Sequence, residues 1–292
     1  MIIVKLNGGL GNQMFQYALG RRMAYVLGVR LKLGIFGFAN YKLRTYGLSP
    51  FNIQENFASQ EEVTALTVLR QGITARVIRQ VLRKPPKPAP TYIREKKLFH
   101  FDPDILDLPD GVYLDGSWQS EKYFADIEAV IHQEFTVKIP QAGKDKELAE
   151  QMASCESVSL HIRRGDYVSN PLTNQILGTC DRDYYPRCVE YLIQTVKNPH
   201  FFVFSDEPEW SRDNLNLLYP TTFVDHNKAD KDYEDLRLMS QCKHNIIANS
   251  TFSWWGAWLN QNPEKIVWAP KRWLKSDYYN TRDMIPDKWI KV

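Results

Sequence analysis

SVSLHIRRGDYV, residues 157–168, passes from a short apolar run through His161 into Arg163, Arg164, Gly165 and Asp166 within a few positions. A surface turn with a salt bridge would account for those charges alone. The rest of the C-terminal half gives them a different context. The apolar runs VSLHI, FFVFS, TTFVD, NIIAN and KIVWA alternate with the helical stretches DYYPRCVEYLIQTVK, PEWSRDNLNLL, KDYEDLRLMSQCK and TFSWWGAWLN. Strand–helix alternation of this kind predicts a parallel sheet covered by helices on both faces. Ligands bind outside the carboxyl ends of such strands. Those ends carry Arg163 and Arg164, then Ser205 and Asp206, then Asp225, then Asn249, Ser250 and Thr251. One rim therefore gathers cations, hydroxyls and carboxylates, as a nucleotide site requires.

The first half opens on a second unit of the same kind. Ile2, Ile3, Val4 and Leu6 read as a strand, NGGLGNQ as a glycine loop, and Phe15, Ala18, Leu19, Met23, Val26 and Leu27 as a helical stripe. Gly28 is a stop signal, and VRLKL reads as the next strand. EEVTALTVLRQGITARVIRQVLRK reads as a basic helix that ends at the extended PPKPAP. VYLDGSW then reads as strand and EKYFADIEAVIHQEF as helix. The polar stretch QAGKDKE, residues 141–147, marks the boundary, giving domains 1–145 and 146–292.

The totals narrow the class. A chain of 292 residues suits two domains. A net charge of +3 is too small to argue for nucleic acid, yet it allows a local basic pocket. No apolar run approaches a membrane span, and MIIVKLNGG lacks the layout of a signal peptide, so the expectation is a cytoplasmic chain. Arg70, Arg76, Arg79, Arg83, Lys84 and Lys87 could rest peripherally on the anionic inner face of a membrane, but a solvated helix face is by a wide margin the safer reading. Cys155, Cys180, Cys188 and Cys242 show no CxxC spacing, and no two histidines hold the i, i+4 spacing of a zinc helix. Asp-x-Asp strings occur at Asp102/Asp104, Asp181/Asp183 and Asp230/Asp232, but none closely follows a convincing strand. No metal and no cofactor is expected. GGLGNQM has two of the three glycines of a dinucleotide fingerprint, and no Walker A loop is present.

Arginine suits a leaving diphosphate because its forked donors match phosphate oxygens and stay charged. A fixed guanidinium at Arg163 or Arg164 would stabilise charge that develops as the sugar–phosphate bond breaks. His161 could donate to the same group or hold an arginine. Ser250 and Thr251 stand at a helix N-terminus, where hydroxyls and free N–H groups take phosphate or serve as an ordinary cap. Trp254, Trp255 and Trp258 read as core packing.

GGLGNQMFQYA, HIRRGDYV, FVFSDEPEW and NSTFSWWGAWL, in that order across residues 8–259, resemble the bacterial-type galactoside α-1,2-fucosyltransferases of glycosyltransferase family 11. DGSWQSEKYF, residues 115–124, is similar to a further family segment. The resemblance implies a GT-B architecture, two Rossmann-like domains with parallel sheets facing across a cleft. It implies metal-independent, inverting transfer of L-fucose from GDP-β-L-fucose to the 2-hydroxyl of a terminal galactoside in glycan or O-antigen synthesis. GDP-fucose and a galactoside glycan are then the partners. On this basis His161 and Arg163 contact the diphosphate, with Arg163 the principal stabiliser, and Arg164, Asp206 and Asn249 belong to the donor rim. Asp235 would read guanine, while Ser250, Thr251 and Ser253 cradle phosphate or ribose. Gly11, Asn12 and Gln13 would reach the donor from the N-terminal domain, and Asp115, Trp118 and Gln119 would meet the acceptor. Asp166 is either the base or an arginine's partner, with Glu207 and Asp115 as other bases. A transferase with another acceptor or linkage, and a non-catalytic nucleotide-sugar or glycan-binding protein, are the alternatives.

Overall fold

The computed structural model describes residues 1–40, 44–69, 87–181 and 183–292, and the chain divides into two compact units, Met1–Thr136 and Val137–Val292. The division falls ahead of QAGKDKE because that stretch already starts a helix of the second unit, Gly143–Ala153. Leu148 and Met152 of that helix are buried with Phe202 and Phe204.

Unit 1 is a parallel sheet. β1 (Ile2–Lys5) lies between β2 (Leu31–Gly34) and β4 (Val112–Asp115), and β3 (Tyr92–Arg94) pairs with the outer side of β4. α1 (Leu10–Leu27) connects β1 to β2 and ends where Gly28, at φ 64, bonds back to Ala24 and Tyr25. The buried face is broader than the apolar stripe in the sequence: Gln13, Gln16 and Arg21 are buried as well, while Val26 and Leu27 are exposed. Their polar ends have specific partners. Gln16 exchanges bonds with Asn7 and donates to the Gly116 carbonyl, and Arg21 pairs with Glu134. α2 (Gln60–Thr67) starts on a capping box of Ser59 and Glu62. The basic residues Arg70, Arg76, Arg79, Arg83 and Lys84 lie outside the described residues. Lys87 and Ala89 bond back to Leu69 and Thr67, so this end of the proline-rich stretch is paired rather than extended into solvent. The helix expected over residues 121–135 is broken into two 3-10 turns and α3 (Glu128–Glu134), because Phe124 leaves helical geometry at φ −147 and buries its ring.

Unit 2 has six parallel strands in the order β10-β9-β8-β5-β6-β7. They are β5 (Glu156–Ile162), β6 (Pro199–Ser205), β7 (Thr221–Val224), β8 (His244–Ile246), β9 (Val267–Ala269) and β10 (Ile290–Lys291). The chain runs outward from β5 to β7, then returns to the other side of β5 with β8. That reversal is the doubly wound order, with its switch point at β5. The helices are α4 (Gly143–Ala153), α5 (Gly165–Ser169), α6 (Pro171–Ile176), α7 (Tyr184–Leu192), α8 (Pro208–Asn214), α9 (Asp232–Gln241) and α10 (Thr251–Trp258). Side chains alternate across each strand. Val158, Leu160, Ile162, Phe201 and Val203 pack with Tyr184, Cys188 and Leu192 of α7. Phe202, Phe204 and Val224 face α4 and α9. Burial on both faces explains why these strands read as continuous apolar runs.

Candidate active site

The same alternation places His161 on the face opposite Leu160 and Ile162, where its ring stands 5.8 Å from that of Phe252 in α10. His161 is 4% exposed, and its Nδ1 has no hydrogen-bond partner. Burial, helped by the Arg163 charge, lowers its pKa to about 3. The imidazole is therefore neutral at working pH and offers one N–H, not a cation.

Beyond Ile162 the backbone turns into α5, and two arginines diverge. Arg163 Nη2 pairs with Asp166, Nη1 lies 3.0 Å from Asp206, and the guanidinium sits 5.3 Å from the Tyr167 ring. Arg164 donates its backbone N–H to Asp206 at 2.9 Å and its Nε–H to Glu207 at 2.9 Å. Its guanidinium stacks 3.6 Å from the centre of the Trp210 ring, leaving both Nη groups outside the Glu207 bond. Gly165 is required here: a Cβ would run into Asp206 Oδ2. The rim, read from the sequence as a mixture of cations, hydroxyls and carboxylates, sets Asp166, Asp206 and Glu207 against two arginines. Both arginines are thus pre-oriented with their charge already compensated, and Asp166, 44% exposed, is the most exposed of the three partners.

The other residues expected at the donor have these surroundings. Asn249, 4% exposed, donates to the carbonyls of Leu177, Gly178 and Trp273 and accepts from Cys180, so its amide staples loops together. Ser253 is fully buried and donates to the Ala248 and Ser250 carbonyls. Ser250 caps α10 through the Phe252 N–H, and Thr251 follows as the first helical residue. Trp254, Trp255 and Trp258 are buried against one another, as core residues. Asp235 lies in the first turn of α9, where Asn227 Nδ2 donates to it at 2.8 Å and to Asp145 at 2.8 Å. His226 also bonds Asp145, at 2.9 Å. Burial chiefly, with the charges of Asp145, Asp232 and Glu234, pushes the Asp235 carboxyl up to about 7 against the Asn227 bond. Nothing in the sequence pattern points to Asn227 or Asp145, because they come from a loop and a different helix.

In unit 1, Gln13 is spent on the fold. Its Nε2 donates to the Gly8 and Thr45 carbonyls and its Oε1 accepts from Gly47, which leaves no amide hydrogen for a donor sugar. Gly11 is buried in the first turn of α1, and Asn12 accepts from Gln119 at 2.9 Å. Asp115 is held by Lys5 and by the Tyr92 hydroxyl at 2.5 Å. Trp118 is 0% exposed and meets Tyr123 edge to face, so its ring has no open face for a sugar. Of the Asp-x-Asp strings, Asp102 caps a 3-10 turn and Asp181 pairs with Arg187. A cleft of about 630 Å³ beside the unit 2 rim shares Asn249 with it, but Arg187 and Arg272 within it are already paired with Asp181 and Asp277.

A doubly wound unit with arginines at its switch point, preceded by a second parallel unit, defines a GT-B-like protein. Comparison with known proteins agrees. The model of glycosyl transferase family 11 matches residues 1–292. An α-1,2-colitosyltransferase of Escherichia coli is 34% identical over 297 residues, covering 100% of this chain and 99% of that protein. WbnK, an O-antigen biosynthesis glycosyltransferase of Escherichia coli, is 32% identical over 318 residues, covering 98% and 99%. Among solved structures, the NodZ α-1,6-fucosyltransferase soaked with GDP-fucose matches at TM-score 0.50 and 13% identity, over 88% of this chain and 91% of that one, a likeness of fold. The chain belongs to glycosyltransferase family 11.

Proposed function

We propose that this glycosyltransferase moves L-fucose from GDP-β-L-fucose to the 2-hydroxyl of a terminal β-galactoside, inverting the anomeric centre without a metal. The observation that carries the reading is the arginine pair at the β5 switch point. Arg164, braced on Trp210 with its Nη groups turned from Glu207, and Arg163 between two carboxylates are the donors for the diphosphate. As the sugar–oxygen bond lengthens, the sugar gains oxocarbenium character and the diphosphate gains charge. Donors fixed beforehand favour that charge-separated state over the ground state. Neutral His161 adds one hydrogen bond, and Asp235 accepts the two N–H groups that guanine presents and adenine lacks. Asp166 and Glu207 each hold an arginine, so the hydroxyl proton leaves through whichever of them is released on donor binding, Asp166 first; Asp115, held by Lys5, is the alternative base.

The relative named for colitose raises a specific second donor. Fucose and colitose differ by the hydroxyl on carbon 3, so both donors belong in one assay. The test measures GDP release from GDP-fucose and GDP-colitose, with and without lactose, in EDTA, for wild type and Arg163→Ala. Lactose-dependent turnover that survives EDTA and drops ~10²–10³-fold in the variant is expected. NMR of the product then fixes the linkage. Failure of the wild type to bind GDP sinks the proposal. Retained binding without turnover on any galactoside turns it toward another acceptor or a non-catalytic sensor. Peripheral contact with an anionic inner membrane surface, in a cytoplasmic protein, rests on the basic sequence around Arg76 and Arg79. Unchanged vesicle co-sedimentation after those arginines become glutamines removes it. Among the described residues no helix is long and apolar enough to cross a membrane.

A further inference from the structure

Cations also gather on the other side of β5. The cleft of about 630 Å³ opens where β8, β9 and β10 end, with Asn249, Lys271 and Val292 in its wall from the segments that follow those strands. Arg163, Arg164, Asp206, Glu207 and Asp235 take no part in its lining. Arg187, Lys271, Arg272 and Lys275 line it against one acidic side chain, Asp181. Four cations against one carboxylate leave an excess of three, equal to the net charge of the whole chain, +3. The remaining charged side chains therefore balance, and the surplus sits here.

Local geometry brings the charged heads to the wall. Lys275 lies across the turn at Gly178, where φ is 62 and a Cβ would meet its stem at 2.8 Å. Its Nζ donates to Asn174 Oδ1 at 3.0 Å, and Asn174 lines the same cleft. Backbone bonds fix this bed: Lys275 N–H donates to the Leu177 carbonyl at 3.0 Å and Ser276 N–H to that of Ile176 at 3.1 Å. Arg187 Nη2 lies 3.1 Å from Asp181, again with both partners in the wall. Arg272 is turned to Asp277 and to the Leu274 carbonyl. Two cations remain. Among the described residues no carboxylate pairs with Lys271 or Lys275, and Lys275 is held by a neutral amide. Asn249 ties the cleft to the donor rim: its carbonyl accepts from Tyr167, beside Arg163, and its amide holds the Leu177 and Gly178 carbonyls.

We infer that this cleft takes a phosphate ester, its phosphate held by Lys271 and Lys275 with Arg187 and Arg272 braced beside them. Two unpaired ammonium groups match the double charge of a phosphate monoester, and lysine serves such a group as a point charge. The volume lies within the ~300–1,000 Å³ of small-molecule pockets, leaving room for whatever the phosphate is attached to. The position, outside the carboxyl ends of parallel strands, is where such sheets bind ligands. The inference goes beyond sugar transfer and holds whichever sugar the donor carries. Because the two sites use different cations, a phosphate ester adds to GDP instead of competing with it.

The test saturates the full-length protein with GDP and titrates glycerol 3-phosphate by calorimetry. The wild type should bind it, less tightly as salt rises. Lys271→Gln combined with Lys275→Gln should weaken that binding ~10-fold, while GDP affinity and the thermal midpoint hold. Arg163→Ala should keep it. Co-sedimentation with phosphatidic acid vesicles, against phosphatidylcholine, separates the sources of the phosphate. Lysine-dependent vesicle binding without affinity for glycerol 3-phosphate assigns the site to a lipid headgroup. Equal binding by wild type and the double variant overturns the inference, and so does the absence of binding in both arms. Binding that GDP displaces, or that Arg163→Ala removes, returns the phosphate to the donor rim and overturns it too. If GDP itself fails to bind, the donor reading falls, and the lysine comparison without GDP still decides this cleft.

Discussion

His161, buried, and Asp235, partly buried, are both titratable groups at the unit 2 rim, but only one of them titrates where the enzyme would work. His161 stays neutral down to about 3, so it contributes no limb near neutrality. Asp235 sits at about 7, raised by burial above the ~3.9 of a free aspartate. A folded pKa above the unfolded one means that its contribution to stability is fully present below ~4 and is lost as pH rises through about 7. The wild type should therefore lose stability relative to Asp235→Asn across that window, read as urea midpoints at matched pH. A flat difference would show that the carboxyl is not held protonated. Guanine needs the ionised carboxylate, so GDP affinity should fall as pH drops below about 7, with protons released on binding. Calorimetry in buffers of different ionisation heat reads that release directly. Proton uptake, or none, at pH 6 would remove Asp235 from the base-reading role.

The joint between β5 and α5 is where one missing methyl group decides an element's geometry. Asp206, at the end of β6, reaches back to the Arg164 N–H and to Arg163, and it can do so only because residue 165 is glycine. Gly165→Ala should cost ~1–3 kcal/mol by displacing that carboxylate from its partners, with a matching loss of GDP affinity. The cause is testable by a double-mutant cycle: in an Asp206→Ala background the same change should cost far less. Additive effects would place the strain elsewhere. This joint also marks the limit of what the sequence discloses. The strands and helices of unit 2 are legible because period and alternation are local, and paired arginines at a strand end are visible as letters. Asp206 and Glu207 against the arginines, the Asn249 staple and the Gln13 bonds depend on which loops meet, which a single chain of letters does not carry. For the same reason β3 has no clear signal after the proline-rich stretch, and the helix expected at residues 121–135 breaks where Tyr123 and Phe124 prefer burial to helical continuity. Trp118, expected to meet an acceptor, has its whole side chain in the core, a burial that its letter does not disclose.

At the scale of the whole molecule, each unit has its own parallel sheet, and the two carry different chemistry. Unit 2 gathers the arginine pair, the neutral histidine, the capped N-terminus of α10 and the Asp235 cluster. In unit 1 the Gly11–Gln13 turn is largely committed to its own fold, with Gln13 saturated and Asn12 bonded to Gln119. GDP binding should therefore register mainly in unit 2. Hydrogen exchange of the full chain, with and without GDP, should show new protection at residues 161–168, 205–207, 225–235 and 249–254. Residues 8–13, in unit 1, should change little. A ligand that binds only the folded state adds ~2.7 kcal/mol at one hundred times its Kd, enough to slow exchange of the most protected amides about a hundredfold. Strong protection of residues 8–13 by GDP alone would return the glycine turn to the nucleotide site. It would also mean that the Gln13 bonds break when the donor arrives, because that side chain has no amide hydrogen to spare while they hold.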